Sequence, residues 1–215
     1  MLSPMAGDEP FDRLARLAAR ILDVPISLVT IVEEDRQRFP GQTGLAEPWA
    51  TRRETPLSYS FCKHVVAAGA PVEIADARED DRVRDNPAIP EFGIVAYLGV
   101  ALASPDGIVL GSVCAMDGRP RTWTADDRAA LTDLCASAAT EVHLRLLLER
   151  ERLLAIDLNG DLVQHLAAAK LELERGGTQG AAIERIGAAL GVARVTAGAM
   201  LERVGAGTAE PRRRP

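Results

Sequence analysis

An α+β unit, one antiparallel sheet with flanking helices, followed by an all-α helical hairpin, is the architecture this sequence predicts. Three observations carry it. Up to His143 the chain alternates short β-branched or apolar runs with turns that bear Pro and Gly. From Thr124 to Glu174 it has no proline and a single glycine, Gly160, which reads as one long helix or two end to end. Beyond Gly180 the apolar residues step through a heptad.

The elements follow in order. Phe11, Leu14, Leu17, Ala18, Ile21 and Leu22 recur at three- and four-residue spacing, so the chain opens with a helix, with Asp8 as its cap and Pro25 as its stop. Ile26 to Val32 is β-branched and apolar, a buried strand. A second strand runs through Gln37–Phe39, with Glu34-Asp35 as the turn, and Pro40 to Pro56 reads as irregular. Ser58 caps a short helix from Tyr59 to Ala68 that ends at Gly69. Val72 to Ile74 is a short strand, and Asp76 to Pro90 a charged loop with at most one helical turn. Ile94–Ala103 and Ile108–Met116 are apolar strands joined by the turn Ser104-Pro105-Asp106-Gly107. Alternation sets Leu110, Ser112, Cys114 and Met116 on one face. Thr124 caps the helix that follows.

In the hairpin, Leu158, Leu162, Leu166, Ala169 and Leu173 hold one face of the first helix. Ile183, Ile186, Leu190, Ala193, Ala197, Met200 and Val204 hold the second. A lone hairpin leaves these faces in water, and pairing two of them into a four-helix bundle buries them. A homodimer is therefore expected, with Leu158, Leu162, Leu166, Ile183, Ile186, Leu190, Ala197 and Met200 at its interface. The expected domains are 8–143 for the mixed unit, 144–205 for the hairpin and 206–215 for a disordered tail.

Composition excludes several classes. Hydrophobic residues are 47% and charged residues 26%, ordinary globular values. A net charge of −6 argues against a phosphate-backbone binder. Aromatics at 4% are too few for a stacking platform on single strands. Cys62, Cys114 and Cys135 lack CxxC spacing, so neither a disulfide scaffold nor a zinc site is expected, and a reducing compartment fits. Neither a signal-peptide pattern nor a membrane-length apolar run is present, which points to the cytoplasm. His64 and His143 lack companions at metal-ligand spacing, and no cofactor or metal is expected. The run Asp76-Ala77-Arg78 with Asp80, Asp81 and Arg82 is expected to form local loop salt links.

Specific words carry a family resemblance. They are Thr55-Pro56-Leu57-Ser58-Tyr59-Ser60-Phe61-Cys62-Lys63-His64, then Asp76-Ala77-Arg78 with Asp80, Arg82 and Asn86-Pro87. Ala96-Tyr97-Leu98-Gly99-Val100-Ala101-Leu102 and Gly111-Ser112-Val113-Cys114-Ala115-Met116-Asp117 follow, with Pro120-Arg121 and Trp123 behind them. In this order they resemble the GAF family of small-molecule sensor domains over roughly residues 8–143. The resemblance implies a pocket on one face of the sheet, closed by the mid-domain helix and loops. Its candidate lining is Phe61, Cys62, Val65, Phe92, Tyr97 and Cys114. Cys62 could hold a bilin or act as a redox centre. Bilin-binding members carry Cys directly followed by His, whereas Lys63 intervenes here, and core packing is the preferred reading of both Cys62 and Cys114. The cysteine spacings do not resemble those of the methionine-sulfoxide-reducing members.

The tail resembles the dimerisation and phosphoacceptor hairpin of sensor histidine kinases, through Ala155-Ile156-Asp157-Leu158 and Val163-Gln164-His165-Leu166-Ala167-Ala168. Asn159 stands at the acceptor histidine and Gly160 at the acid, while Gln164 keeps the glutamine place. A carboxamide is no phosphoryl acceptor and glycine no base. The expectation is thus a non-catalytic cytoplasmic signal-transduction protein, not an enzyme. Its sensor domain would read a small ligand or state, and its degenerate hairpin would pair with itself, a histidine kinase or a response regulator. The alternative is a thiol or chromophore protein, a reductase or photoreceptor, that uses Cys62.

Overall fold

Alternation along each strand sends neighbouring side chains to opposite faces of one sheet, and both faces are covered. Val29, Leu98, Val113 and Ala115 enter one core, while Leu28, Tyr97, Cys114 and Met116 enter the other. The computed structural model describes residues 9–175, 178–181, 183–191 and 193. The chain divides into two compact units, Met1–Leu146 and Leu147–Pro215.

The first unit begins with α1 (Glu9–Leu22), β1 (Ile26–Val32), β2 (Arg36–Thr43), α2 (Trp49–Arg52) and β3 (Glu54–Pro56). A 3-10 turn at Leu57–Tyr59 leads to α3 (Cys62–Ala68), β4 (Val72–Ile74) and α4 (Ala88–Phe92). β5 (Ala96–Ala103), β6 (Val109–Asp117) and α5 (Ala125–Glu174) complete the order. All six strands join one antiparallel sheet in the order β3-β2-β1-β6-β5-β4. Phe11, Ala18 and Leu22 of α1 and Leu131, Cys135, Ala138 and Val142 of α5 cover one face. Phe61, Cys62 and Val65 cover the other, with the loops around α4. This is the expected GAF-like α+β sheet.

Local differences have physical causes. β2 runs through Pro40 to Thr43, longer than the expected Gln37–Phe39. Pro40 is tolerated because the pairing slips there: Val29 faces Gly41 while Ile31 faces Arg38, a bulge opposite Thr30. The segment expected to be irregular holds α2 and the edge strand β3, which pairs Gln37 with Thr55. The expected helix from Tyr59 is broken at Ser60, whose backbone is extended. Ser60 rather than Ser58 supplies the cap: its Oγ accepts from Lys63 N at 3.1 Å. A bulge beside Leu102 and Ala103 turns Leu110 away from Cys114 and Met116, so Leu110 packs in the α1/α5 core instead. Gly107 takes φ 81° in the β5–β6 turn, a left-handed conformation suited to glycine. Thr124 does cap α5: its Oγ1 accepts from Asp127 N at 3.1 Å, and Asp127 Oδ2 accepts from Thr124 N at 2.9 Å. In the charged loop Arg78 pairs with Asp76 and Arg82 with Asp80, the expected local links.

α5 passes through Gly160 as one helix, and residues 179–181, 183–191 and 193 are helical. Leu166, Ile183, Ile186 and Leu190 are exposed, as is Gln164. Ala197 and Met200 lie outside the described residues, as do the side chains of Leu158, Asn159 and Leu162; Gly160 is described only as part of the helix. Among the described residues no helix is long and apolar enough to cross a membrane.

Candidate functional site

On the α3 face, Leu28, Phe39, Phe61, Cys62, Tyr97 and Met116 are among the walls of a small cavity of about 10 Å³. That is room for about one water. Phe61 stacks on Tyr97 with ring centroids 5.3 Å apart. Gln37 closes one edge, its amide donating to Thr55 Oγ1 at 2.9 Å and its carbonyl accepting from Ser60 Oγ at 2.6 Å. These polar groups satisfy one another, so the resting cavity presents mainly apolar and aromatic surface.

An aromatic lid covers it. Trp49 of α2, Tyr59 of the 3-10 turn and Phe92 of α4 meet with centroids 5.7 to 5.9 Å apart. Glu91 latches them: its Oε1 accepts from Trp49 Nε1 and its Oε2 from Tyr59 OH, both at 2.8 Å. The bond to Glu91 raises the Tyr59 phenol above its ordinary value, since ionising it would set two anions together. Three separate elements are thus tied over the cavity by one exposed carboxylate.

One thiol lies in the cavity wall and a second lies behind it. Cys62 Sγ, at the start of α3, stands 3.8 Å from Cys114 Sγ on β6, and Tyr97 OH donates to Cys62 Sγ at 3.5 Å. Both cysteines are buried and free. The Cys62 thiol is held below its ordinary value, first by the Cys114 thiol and against the opposing effect of burial, with help from the Ser112, Thr30 and Tyr97 hydroxyls. Cys114 is pushed well up, by burial first and then by Cys62. The two thiols titrate as one pair, with Cys62 lowered and Cys114 raised. Cys135 sits in the opposite core, where burial raises it to about 11.

Of the expected pocket residues, Phe61, Cys62, Phe92 and Tyr97 line the cavity. Val65 and Cys114 are buried in the surrounding core and do not line it. Sequence reasoning missed Gln37, Trp49, Tyr59 and Glu91. It used the scarcity of aromatics against a stacking platform for single strands. Six of the eight aromatic residues, Phe39, Trp49, Tyr59, Phe61, Phe92 and Tyr97, gather at this cavity and its lid. Their positions within the words around Tyr59 and Tyr97 were the available signal. The His64 imidazole is held below its ordinary value, chiefly by burial and then by Lys63 and Arg82, and its Nε2 is buried without a hydrogen-bond partner. Among the described residues no three His, Cys, Asp or Glu side chains cluster as a metal site.

Comparison with known proteins agrees with this architecture. Residues 7–142 match the GAF domain model. A cyclic di-GMP phosphodiesterase of Pseudomonas aeruginosa is 35% identical over 139 residues, 64% of this chain and 23% of that protein. The chain thus spans about a quarter of the length of that curated relative. The fold is shared with a domain assigned to a two-component sensor histidine kinase protein of Sinorhizobium meliloti, at TM-score 0.54 and 17% identity, covering 68% of this chain and 97% of that one. It is also shared with the blue-light-absorbing form of the Thermosynechococcus elongatus PixJ GAF domain, at TM-score 0.52 and 15% identity, covering 66% and 88%. The phosphodiesterase match corrects the expectation of a non-catalytic signalling protein that is not an enzyme, because the curated relative is itself named for a catalytic activity.

Proposed function

The chain belongs to the GAF domain family, and on that premise we propose that its first unit is the sensing unit of a protein acting in cyclic di-GMP turnover. The concentration of six of eight aromatic residues on one lidded cavity supports a sensing role most directly. The 35% identity to the phosphodiesterase supports the pathway. At rest the cavity is closed; lifting Trp49, Tyr59 and Phe92 off it would admit a small, flat, largely apolar ligand. Glu91 sets the cost of that opening.

The test is the cyclic di-GMP level of bacteria that express the full chain, read by mass spectrometry. We expect the chain to change that level and Glu91→Gln, which weakens the latch, to alter the size of the change. An unchanged level with well-expressed, folded chain would refute the assignment to cyclic di-GMP turnover. An equal change from Glu91→Gln would refute the role of the Glu91 latch.

For the second unit we propose homodimer formation. Leu166, Ile183 and Leu190, at 45%, 62% and 62% exposure, leave an apolar surface that a second copy would cover. Three free cysteines support a cytoplasmic setting. Sedimentation of the chain and of Leu190→Asp checks the dimer: a monomeric parent chain would overturn it.

A further inference from the structure

Cys62 and Cys114 are 52 positions apart, and the first is on a helix while the second is in mid-strand. The fold nevertheless sets their sulfurs in contact at 3.8 Å, in a core of apolar side chains and aromatic rings that the Ser112, Thr30 and Tyr97 hydroxyls also reach. Neither forms a disulfide; Cys62 Sγ accepts from Tyr97 OH, and the two sulfurs face each other. Cys62 also forms part of the cavity wall, whereas Cys114 lies behind it. One sulfur can thus meet a water-sized molecule, and the other can meet only its neighbour.

We propose that this thiol pair is an oxidation site for small hydroperoxides, with Cys62 attacked first and Cys114 closing a disulfide across α3 and β6. The steps balance. The Cys62 thiolate attacks one oxygen of the hydroperoxide; an S–O bond forms, the O–O bond breaks, and the other oxygen leaves as water or alcohol after taking a proton. Cys62 is then a sulfenic acid. Cys114 Sγ attacks that sulfur; the S–S bond forms, the S–O bond breaks, and hydroxide leaves with the Cys114 proton as water. Two electrons pass from the thiol pair to the peroxide. The sulfurs must close from 3.8 Å to about 2.05 Å, a small rearrangement at the first turn of a short helix. Tyr97 OH, donating to Cys62 Sγ, stabilises the attacking thiolate. Cys135 is an internal control: its sulfur contacts the Val100 and Ala101 carbonyls in the opposite core, with no thiol partner. The proposal stands apart from the identity of any pocket ligand and from cyclic di-GMP.

The experiment treats the full reduced chain with hydrogen peroxide and maps each cysteine by alkylation and peptide mass spectrometry over time. The expected result is a Cys62–Cys114 linked peptide, reversed by dithiothreitol, with Cys62 lost about tenfold faster than Cys135. Cys114→Ser should instead accumulate a dimedone-reactive sulfenic acid on Cys62. Cys62→Ser should leave Cys114 reduced. If Cys62 and Cys114 both stay alkylatable while Cys135 oxidises, or if Cys62→Ser leaves the oxidation rate of Cys114 unchanged, the proposal is overturned. Near-ultraviolet circular dichroism checks folding of each variant, and Cys114→Ala replaces Cys114→Ser if the serine disrupts the core. The linked peptide from the parent chain decides the matter without any variant.

Discussion

The Tyr97 hydroxyl reaches the Cys62 sulfur at 3.5 Å only because residue 99, two positions along the same strand face, is glycine. A Cβ at Gly99 would stand 2.2 Å from that hydroxyl, and Tyr97 is fully buried. A backbone choice on β5 thus places a phenol beside a thiol on α3.

Gly99→Ala should therefore overpack the site. The expected loss is about 1–3 kcal/mol of stability. Urea unfolding checks it: the midpoint should fall with the slope unchanged. Peroxide oxidation of Cys62 should slow in the same variant, because the Tyr97 bond is displaced. An unperturbed midpoint would mean that the ring shifts freely.

Asp12 and Arg53 form a bidentate pair at 2.8 and 2.9 Å that ties α1 to the end of α2. Asp12 Oδ1 also accepts from Gln42 N at 2.9 Å. Both side chains are only 16% exposed. Asp12→Ala leaves the guanidinium half-desolvated and the amide unpaired, at a cost of about 3 kcal/mol. Thermal unfolding should show the drop, and the double variant with Arg53→Met should recover part of it.

The Glu91 latch predicts a fluorescence change. Trp123 is buried with its indole donating to Ile74 O, so it reports little of the surface. Trp49 is held by Glu91. Glu91→Ala should raise acrylamide quenching of Trp49 while leaving global stability almost unchanged, since the carboxylate is exposed. Equal quenching in the parent and variant chains would show that ring packing alone closes the lid.

Alkaline pH should destabilise the first unit. Burial raises the Tyr97 phenol and the Cys114 and Cys135 thiols above their ordinary values, with Cys135 at about 11. Between the unfolded thiol value of 9.0 and the folded value of about 11, the unfolded chain releases the Cys135 proton and the folded chain keeps it. Stability is full below the unfolded value and falls as pH rises toward the folded one. Urea midpoints at pH 8 and pH 10, measured under reducing conditions, should differ in that direction. Cys135→Ala should reduce the difference.

Much of the fold was legible in the sequence because it rests on local rules. The β-branched run at Ile26–Val32, the Pro-Asp-Gly turn before β6, the Gly69 helix end and the Thr124 cap each depend on residues a few positions apart. The split of β5 and β6 between two cores followed from alternation, until the bulge that turned Leu110 over. β3 and the break at Ser60 were not legible. β3 exists only because β2 offers an edge to pair with, and Ser60 replaces Ser58 as cap because it is also held by Gln37.

The candidate site divides the same way. The sequence by itself determined the mixed sheet, its family words and the buried character of Cys62, Tyr97 and Cys114, since hydrophobic periodicity and turn chemistry act over short spans. Only the tertiary structure decided that Cys62 meets Cys114, that Glu91 joins Trp49 to Tyr59, and that so few aromatics gather on one cavity. These contacts join residues 32 to 52 positions apart, and strand register and loop packing, which no local pattern encodes, bring them together.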